Sequence, residues 1–291
     1  MAKLLKGAPV AARLTEETAA HAAALRARGI VPTLCLIRVG ERADDLSYER
    51  GLLKRAASAG VDVRKVVLDA VCSQAELMSA IASANADPAV HGILMFRPLP
   101  ASLDEAAACE AVAPEKDVDC LTQASLAGVF AGSGEGYAPC TADAVMHLLA
   151  EAGVPLEGAR VTVVGRSLVI GRPVAMMLQA ANATVTMCHS KTRDLARCCR
   201  EADVLVVACG RARMVGADCV RPGQVVVDVG INWDESAGRL VGDVDFDAVE
   251  PVVDAITPVP GGVGSLTTAV LMKHVVQAAE RVAARTKGGI A

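Results

Sequence analysis

Short apolar runs rich in β-branched residues alternate along this chain with longer stretches whose apolar positions recur at helical spacing. In the first half the pattern predicts a helix over 9–29, stopped by Gly29 ahead of Pro32, and a strand over 33–39 closed by Gly40. A helix over 44–59 follows, with Asp44 or Asp45 as N-cap and Gly60 as its stop. Next come a strand over 62–68, a helix over 74–84 capped by Ser73, and a strand over 92–96 cut off by Pro98 and Pro100. The polar segment 114–120 reads as a loop, and the glycine-rich run 128–137 as a surface excursion.

The second half repeats the alternation. It predicts a helix over 142–152, a strand over 161–164, a helix over 174–180, a strand over 183–187, a helix over 192–200, and strands over 204–207 and 225–229. Two prolines and three glycines within 257–264 exclude a helix or a central strand there, and leave a loop that presents backbone. A last helix carries Val270, Leu271, His274, Val275, Ala278 and Val282 as an apolar stripe. The expected fold class is therefore α/β with two α/β domains, the second a Rossmann-like doubly wound parallel sheet. Residues 1–119 form the first domain, completed by the C-terminal helix 267–287, and residues 120–266 form the second.

Composition narrows the chemistry. Of 291 residues 53% are hydrophobic and 21% charged, enough for a substantial core, yet aromatics make up only 2%, so each one is informative. A net charge of −4 with mixed signs leaves no electrostatic footprint for nucleic acid or an anionic membrane. No apolar run reaches the length of a membrane span, and residues 1–10 lack the apolar core of a secretory leader. The ten cysteines include no C-x-x-C and no His/Cys grouping at ligand spacing. They read as small buried hydrophobes in a reducing compartment, and no metal site is expected.

One stretch carries candidate chemistry on spacing alone. The strand over 161–164 runs into Gly165-Arg166-Ser167, and Gly171 opens the next helix. Strand, glycine turn and helix N-terminus form the part of an α/β sheet that receives a dinucleotide pyrophosphate. The spacing is GxSxxxG rather than GxGxxG, so context has to carry the assignment. No Asp or Glu ends the following strand, where an NAD enzyme tends to place one for the ribose hydroxyls. Arg166, Ser190 and Lys191 instead favour a 2′-phosphate, hence NADP over NAD.

Several separated segments match one family in order. They are Val39-Gly40 leading to Tyr48, Pro114-Glu115-Lys116-Asp117-Val118-Asp119, the turn from Gly165 to Pro173, and the late loop Thr257-Pro258-Val259-Pro260-Gly261-Gly262-Val263-Gly264. Val227-Asp228-Val229-Gly230-Ile231-Asn232 and Val241-Gly242-Asp243-Val244 also match. Together they resemble the methylenetetrahydrofolate dehydrogenase/cyclohydrolase family over nearly the whole chain. The resemblance implies a cytoplasmic homodimer with a catalytic folate-binding domain, a Rossmann-like NADP domain and a substrate cleft between them. It implies two reactions: oxidation of 5,10-methylenetetrahydrofolate to the 5,10-methenyl cation, and hydrolysis of that cation to 10-formyltetrahydrofolate.

By the same resemblance, Tyr48 stacks on the folate ring and Asp119 accepts from the pterin, as catalytic and substrate-binding residues. Pro260, Gly261 and Gly262 bring backbone to the substrate. Gly165, Arg166, Ser167, Gly171 and Ser190 bind cofactor, with Thr141 near the nicotinamide, Ile231 contributing backbone contacts, and Thr267 retained after the late loop.

Two departures stand out. The family's Tyr-x-x-x-Lys-x-Lys is here Tyr48-Glu49-Arg50-Gly51-Leu52-Leu53-Lys54, so Leu52 holds the position of the first lysine, on the tyrosine's face. Lys54 lies about 240° around the helix from Tyr48, and Arg55 returns to that face with a permanently charged group. The family's Val-Gln-Leu-Pro-Leu-Pro is here Met95-Phe96-Arg97-Pro98-Leu99-Pro100, so Phe96 replaces the supporting glutamine. Cys120 stands where a glycine usually follows the aspartate, and Ser265 where proline usually follows Gly264. The expectation is a surviving NADP-dependent dehydrogenase whose cyclohydrolase is lost or weak, with a separate protein supplying hydrolysis. The ordinary bifunctional enzyme, a non-catalytic folate- or nucleotide-binding relative, and a Rossmann oxidoreductase shifted to another substrate are the alternatives.

Overall fold

The computed structural model describes residues 1–235 and 238–288. In chain order the elements are β1 (Lys3–Leu4), α1 (Gly7–Arg26), β2 (Thr33–Val39), α2 (Ala43–Ala59), β3 (Asp62–Leu68), α3 (Gln74–Ala86), β4 (Gly92–Met95), α4 (Glu105–Glu110), α5 (Gln123–Ala131) and α6 (Cys140–Glu151). They continue as β5 (Arg160–Val164), α7 (Gly171–Ala180), β6 (Thr184–Cys188), α8 (Leu195–Arg200), β7 (Val204–Val207), β8 (Val225–Asp228), β9 (Asn232–Asp234), β10 (Arg239–Val241), α9 (Phe246–Val249), β11 (Ala255–Ile256) and α10 (Thr267–Gly288).

The chain forms two compact units, residues 12–140 with 268–291, and residues 1–11 with 141–267. By compactness the division falls after residue 140, and the first residues join the second unit. Pairing explains the latter: β1 adds in parallel to β11, at the edge of the second unit's sheet.

The first unit holds a parallel three-stranded sheet of order β3-β2-β4. Every residue of the central strand β2 is buried, whereas edge strand β3 is exposed or half-buried along its length. Ile37, Leu77, Ile81, Ile93 and Met95 form a core of aliphatic side chains beneath it. Ser73 caps α3, as the sequence predicts, and Glu76 reciprocates to complete a capping box.

The second unit holds a six-stranded parallel sheet of order β1-β11-β8-β7-β5-β6. From β5 the chain passes to β6 on one side and then to β7 on the other, so the strand order reverses beside β5. Ligands of such sheets bind at this reversal, outside the strands' C-terminal ends. β9 and β10 form an antiparallel hairpin apart from the sheet.

Several expectations need correction. Residue Arg42 precedes α2 with no side-chain cap, and Asp44 and Asp45 instead lie in the first helical turn, where carboxylates favour the helix dipole. The glycine-rich run does not begin at 128: α5 continues through Gly128 to Ala131, because that glycine lets the helix approach the Glu135 carbonyl. The helix expected over 192–200 is shortened to α8, whose N-cap is Asp194. The short helix α4 and the β9–β10 hairpin have no counterpart in the sequence reading. All ten cysteines are free, and seven of them are buried. Among the described residues no helix is long and apolar enough to cross a membrane, and no cluster of three or more potential ligands forms a metal site.

Candidate active site

In the first unit the site lies at the C-terminal ends of β2 and β4. α2 presents Tyr48, whose side chain is 42% exposed, and β4 ends beside it, so that the Phe96 ring meets the Tyr48 ring edge-on with centroids 5.5 Å apart. One turn further along α2, Leu52 is fully buried. Neither residue offers a proton donor or acceptor beside the tyrosine. Of the two cations that follow Leu52 and Leu53 along α2, Lys54 is exposed, and the Arg55 guanidinium donates to the Thr15 hydroxyl at 3.0 Å.

Beside Tyr48, Glu49 is buried and tied to two strands. It accepts from Arg38 Nε on β2 at 3.0 Å and from Lys65 Nζ on β3 at 3.1 Å. Arg38 also donates to the Gly40 carbonyl. Burial pushes the Glu49 carboxyl up, but the hydrogen bonds from Lys65 and Arg38 outweigh it and hold it below its ordinary value. This cluster fixes the N-terminal half of α2, and with it the direction of Tyr48. The sequence reading missed it, since its partners lie on three separate elements.

Asp119 is held by the segment around it. Lys116 Nζ donates to the carbonyls of Ala84, Asn85 and Asp87, and the fully buried Asp117 accepts from the backbone N–H groups of Leu121 and Thr122 and from the Thr122 hydroxyl. His274 on α10 donates through Nδ1 to the Val118 carbonyl at 2.9 Å. Asp119 itself accepts from the Cys140 N–H at 3.1 Å. Burial raises its carboxyl above the ordinary aspartate value, opposed by Cys140 and, more weakly, by the Arg97 guanidinium. The next residue, Cys120, has φ +59°, a left-handed conformation that favours the glycine usual at this position. His274, given no role from sequence, supports the backbone that carries Asp119.

In the second unit the cofactor turn joins β5 to α7. Gly165 has φ +133°, and a Cβ on it would stand 2.1 Å from the Ala208 carbonyl oxygen, while one on Gly171 would stand 2.4 Å from the Gly165 carbonyl oxygen. The GxSxxxG spacing is thus a packing requirement of this turn. Ser167 Oγ accepts from the N–H groups of Ile170 at 3.1 Å and Gly171 at 3.4 Å, steadying the N-terminus of α7. Arg166 and Ser167 are exposed there. Ser190 and Lys191 are exposed just beyond β6, in a loop shaped by His189, which accepts from the Lys191 N–H at 3.1 Å and donates its own N–H to Thr192 Oγ1 at 2.8 Å. No carboxylate residue ends β6.

Ile231, Pro260, Gly261 and Gly262 line one cavity of about 240 Å³, together with Asp228 and Leu240. Thr267 opens α10, where its hydroxyl donates to the Gly264 carbonyl at 3.3 Å. Thr141 lies in the first turn of α6 and makes no hydrogen bond to the cofactor turn among the described residues. A larger groove of about 790 Å³ lies at the opposite, N-terminal ends of the first unit's strands, lined by residues such as Thr33, Asp62 and His91. It holds none of the candidate residues.

Residues 5–119 match the catalytic-domain model of tetrahydrofolate dehydrogenase/cyclohydrolase, and residues 139–283 match the NAD(P)-binding-domain model of the same name. The chain is 52% identical over 281 residues to the bifunctional protein FolD of Carboxydothermus hydrogenoformans, covering 96% of this chain and 98% of that one. It is similar to the crystal structure of the bifunctional FolD methylenetetrahydrofolate dehydrogenase/cyclohydrolase from Campylobacter jejuni, with a TM-score of 0.93 and 38% identity over 97% of this chain and 99% of that one. The Trypanosoma brucei dehydrogenase-cyclohydrolase complexed with NADP and an inhibitor aligns with a TM-score of 0.89 and 38% identity over 96% and 98% of the two chains.

Proposed function

This chain belongs to the tetrahydrofolate dehydrogenase/cyclohydrolase family, and from that premise we propose that it oxidises 5,10-methylenetetrahydrofolate to the 5,10-methenyl cation with NADP while its hydrolytic activity is lost or weak.

The cofactor turn fits a dinucleotide on its own geometry. Gly165 and Gly171 pack backbone on backbone, leaving the N-terminus of α7 open to a pyrophosphate. The exposed Arg166, Ser190 and Lys191, with no carboxylate at the end of β6, suit a 2′-phosphate. When bound, NADP supplies the hydride acceptor, and the two folate nitrogens beside the methylene carbon assist hydride loss. The chain's part is alignment. Tyr48 offers an exposed ring face to the flat folate, Asp119 accepts from its N–H groups, and Pro260, Gly261 and Gly262 bring backbone to the substrate. Thr141, Ile231 and Thr267 attend the cofactor.

Hydrolysis makes a different demand. Water must be activated and protons moved, which requires a positioned acid/base group. The observation that supports the restriction to oxidation is the pair of apolar side chains beside Tyr48: Leu52 is wholly buried one turn away, and the Phe96 ring meets the tyrosine edge-on. Arg55 is engaged with Thr15 and stays charged, so it does not shuttle a proton. The same reading makes the working protein a cytoplasmic homodimer and leaves hydrolysis to a separate protein. The test is the fate of methenyltetrahydrofolate mixed with purified protein: its decay should match the rate without protein.

The relatives' description as bifunctional favours a second reading, in which another group has taken over the role of the missing lysine. Rapid enzymatic formation of 10-formyltetrahydrofolate would establish that one instead.

A further inference from the structure

Two buried aspartates lie behind the cofactor face of the second unit, outside the roles assigned above. Asp243, fully buried just after β10, accepts from the N–H groups of Cys209 at 2.6 Å and Gly210 at 2.8 Å through Oδ2, and from the Arg211 N–H at 2.9 Å and the Asn232 side-chain amide at 2.9 Å through Oδ1. Four N–H donors thus fill the acceptor positions of one carboxylate. Asp228, at the end of β8, accepts from the N–H groups of Gly230 and Asp243 at 3.0 Å and of Val244 at 2.9 Å.

The two are interlocked. A Cβ on Gly230 would stand 2.1 Å from the Asp243 Cγ, and one on Gly242 would stand 1.7 Å from an Asp228 carboxylate oxygen. Each carboxylate therefore occupies the space of the side chain that the other segment lacks. This explains why the segments Val227–Asn232 and Val241–Val244 both carry a Gly and an Asp.

What the pair holds is the rim of the dinucleotide site. Ala208, directly before the three amides bound by Asp243, is the residue whose carbonyl packs on Gly165, and its N–H donates to the Val164 carbonyl at 2.7 Å. Asn232 adjoins Ile231 in the turn that lines the cavity. Thr257, which starts the late loop, accepts from the Asp228 N–H at 2.7 Å.

We infer that Asp243, braced by Asp228, is a positioning residue for the dinucleotide: it sets the turn after β7 and the Gly230–Asn232 turn as one preorganised wall, and so governs cofactor affinity more than the rate of hydride transfer. The inference rests on the dinucleotide reading given above. Preorganisation of this kind acts on binding, because a wall that must be ordered on each encounter lowers affinity.

The test is direct titration with NADPH alone, followed by its fluorescence, alongside steady-state kinetics. Asp243→Asn keeps the shape but turns an N–H₂ group towards N–H donors, and should weaken NADPH binding by about tenfold or more, with kcat at saturating cofactor and KM for folate changed by less than about threefold. Asn232→Ala removes one donor without leaving the carboxylate bare. It should weaken NADPH binding by about threefold in a protein that still folds, with a melting temperature lowered less than in Asp243→Asn, which keeps the test decisive even where Asp243→Asn fails to fold. Wild-type affinity for NADPH in a folded Asp243→Asn or in Asn232→Ala overturns the inference, as does a fall confined to kcat. Because NADPH binding is read without folate, a wild-type protein that binds it but leaves the folate untouched would count against the proposed reaction and not against this inference.

Discussion

The edge of the Phe96 ring meets the ring of Tyr48 at 5.5 Å between centroids and 71° between planes, on the face of α2 that also carries the buried Leu52. The phenylalanine ring packs against the tyrosine there and itself carries no hydrogen-bonding group. The tyrosine keeps a ring surface for stacking, and the two side chains beside it, Leu52 and Phe96, carry no acid/base group.

Restoring the relay should restore hydrolysis. The double variant Leu52→Lys, Phe96→Gln should hydrolyse methenyltetrahydrofolate faster than the wild type by about tenfold or more, the low end of what a positioned acid/base contributes. Leu52→Lys alone places an ammonium in a fully buried position and should cost about 2–4 kcal/mol of stability, read as a lowered denaturant midpoint. A double variant that folds and remains inert would show that more than these two side chains has been lost.

Asp119 should trade stability for binding. Its folded pKa is raised, chiefly by burial, so the native state favours the protonated form. The stability linked to this group is then present below the unfolded aspartate value and lost as pH rises through the folded value. At neutral pH Asp119→Asn should therefore melt higher than the wild type and bind folate more weakly. In the wild type, folate affinity should fall on acidification at a higher pH than an ordinary aspartate would give, and Asp119→Asn should lack that limb. Thermal melts and KM for folate across pH check both signs.

Cofactor choice should turn on the end of β6. Ser190→Asp sets a carboxylate where a 2′-phosphate would lie and can accept from ribose hydroxyls instead. KM for NADP should rise by about a hundredfold while KM for NAD falls, a reversal visible in steady-state kinetics with the two cofactors.

The Glu49 cluster gives a stability test away from the chemistry. Glu49→Gln leaves Arg38, which is 5% exposed, without its charged partner and should cost about 3 kcal/mol. The Glu49 carboxyl is held below its ordinary value, so its contribution is complete above the unfolded glutamate value and is lost as pH falls through the folded one. The gap in denaturant midpoint between wild type and Glu49→Gln should therefore narrow on acidification.

Much of the fold was legible because its signals are local. β2, β3 and β7 end where the pattern predicts, and Ser73 caps α3 with a glutamate three residues on. The turn from Gly165 to Gly171 was readable as a dinucleotide element, although spacing could not reveal that its glycines pack on Ala208 and on each other. What escaped the sequence reading is made of distant partners. Glu49 is held from β2 and β3, Val118 by His274 across 156 residues, and Asp243 by the amides of 209–211. A buried carboxylate bound to backbone N–H groups leaves no side-chain pattern, since every residue but proline supplies the same donor. The polar loop at 114–120 marks the end of the matched catalytic domain at 119, whereas the compact unit runs on to Cys140, whose N–H donates to Asp119.

In the proposed function hydride transfer remains and hydrolysis does not. The most direct measurement follows NADPH and methenyltetrahydrofolate separately after purified protein is mixed with methylenetetrahydrofolate and NADP. The two should rise together one for one, and the methenyl product should then decay no faster than in a protein-free control. NADPH rising while the methenyl product stays low and 10-formyltetrahydrofolate accumulates would contradict it.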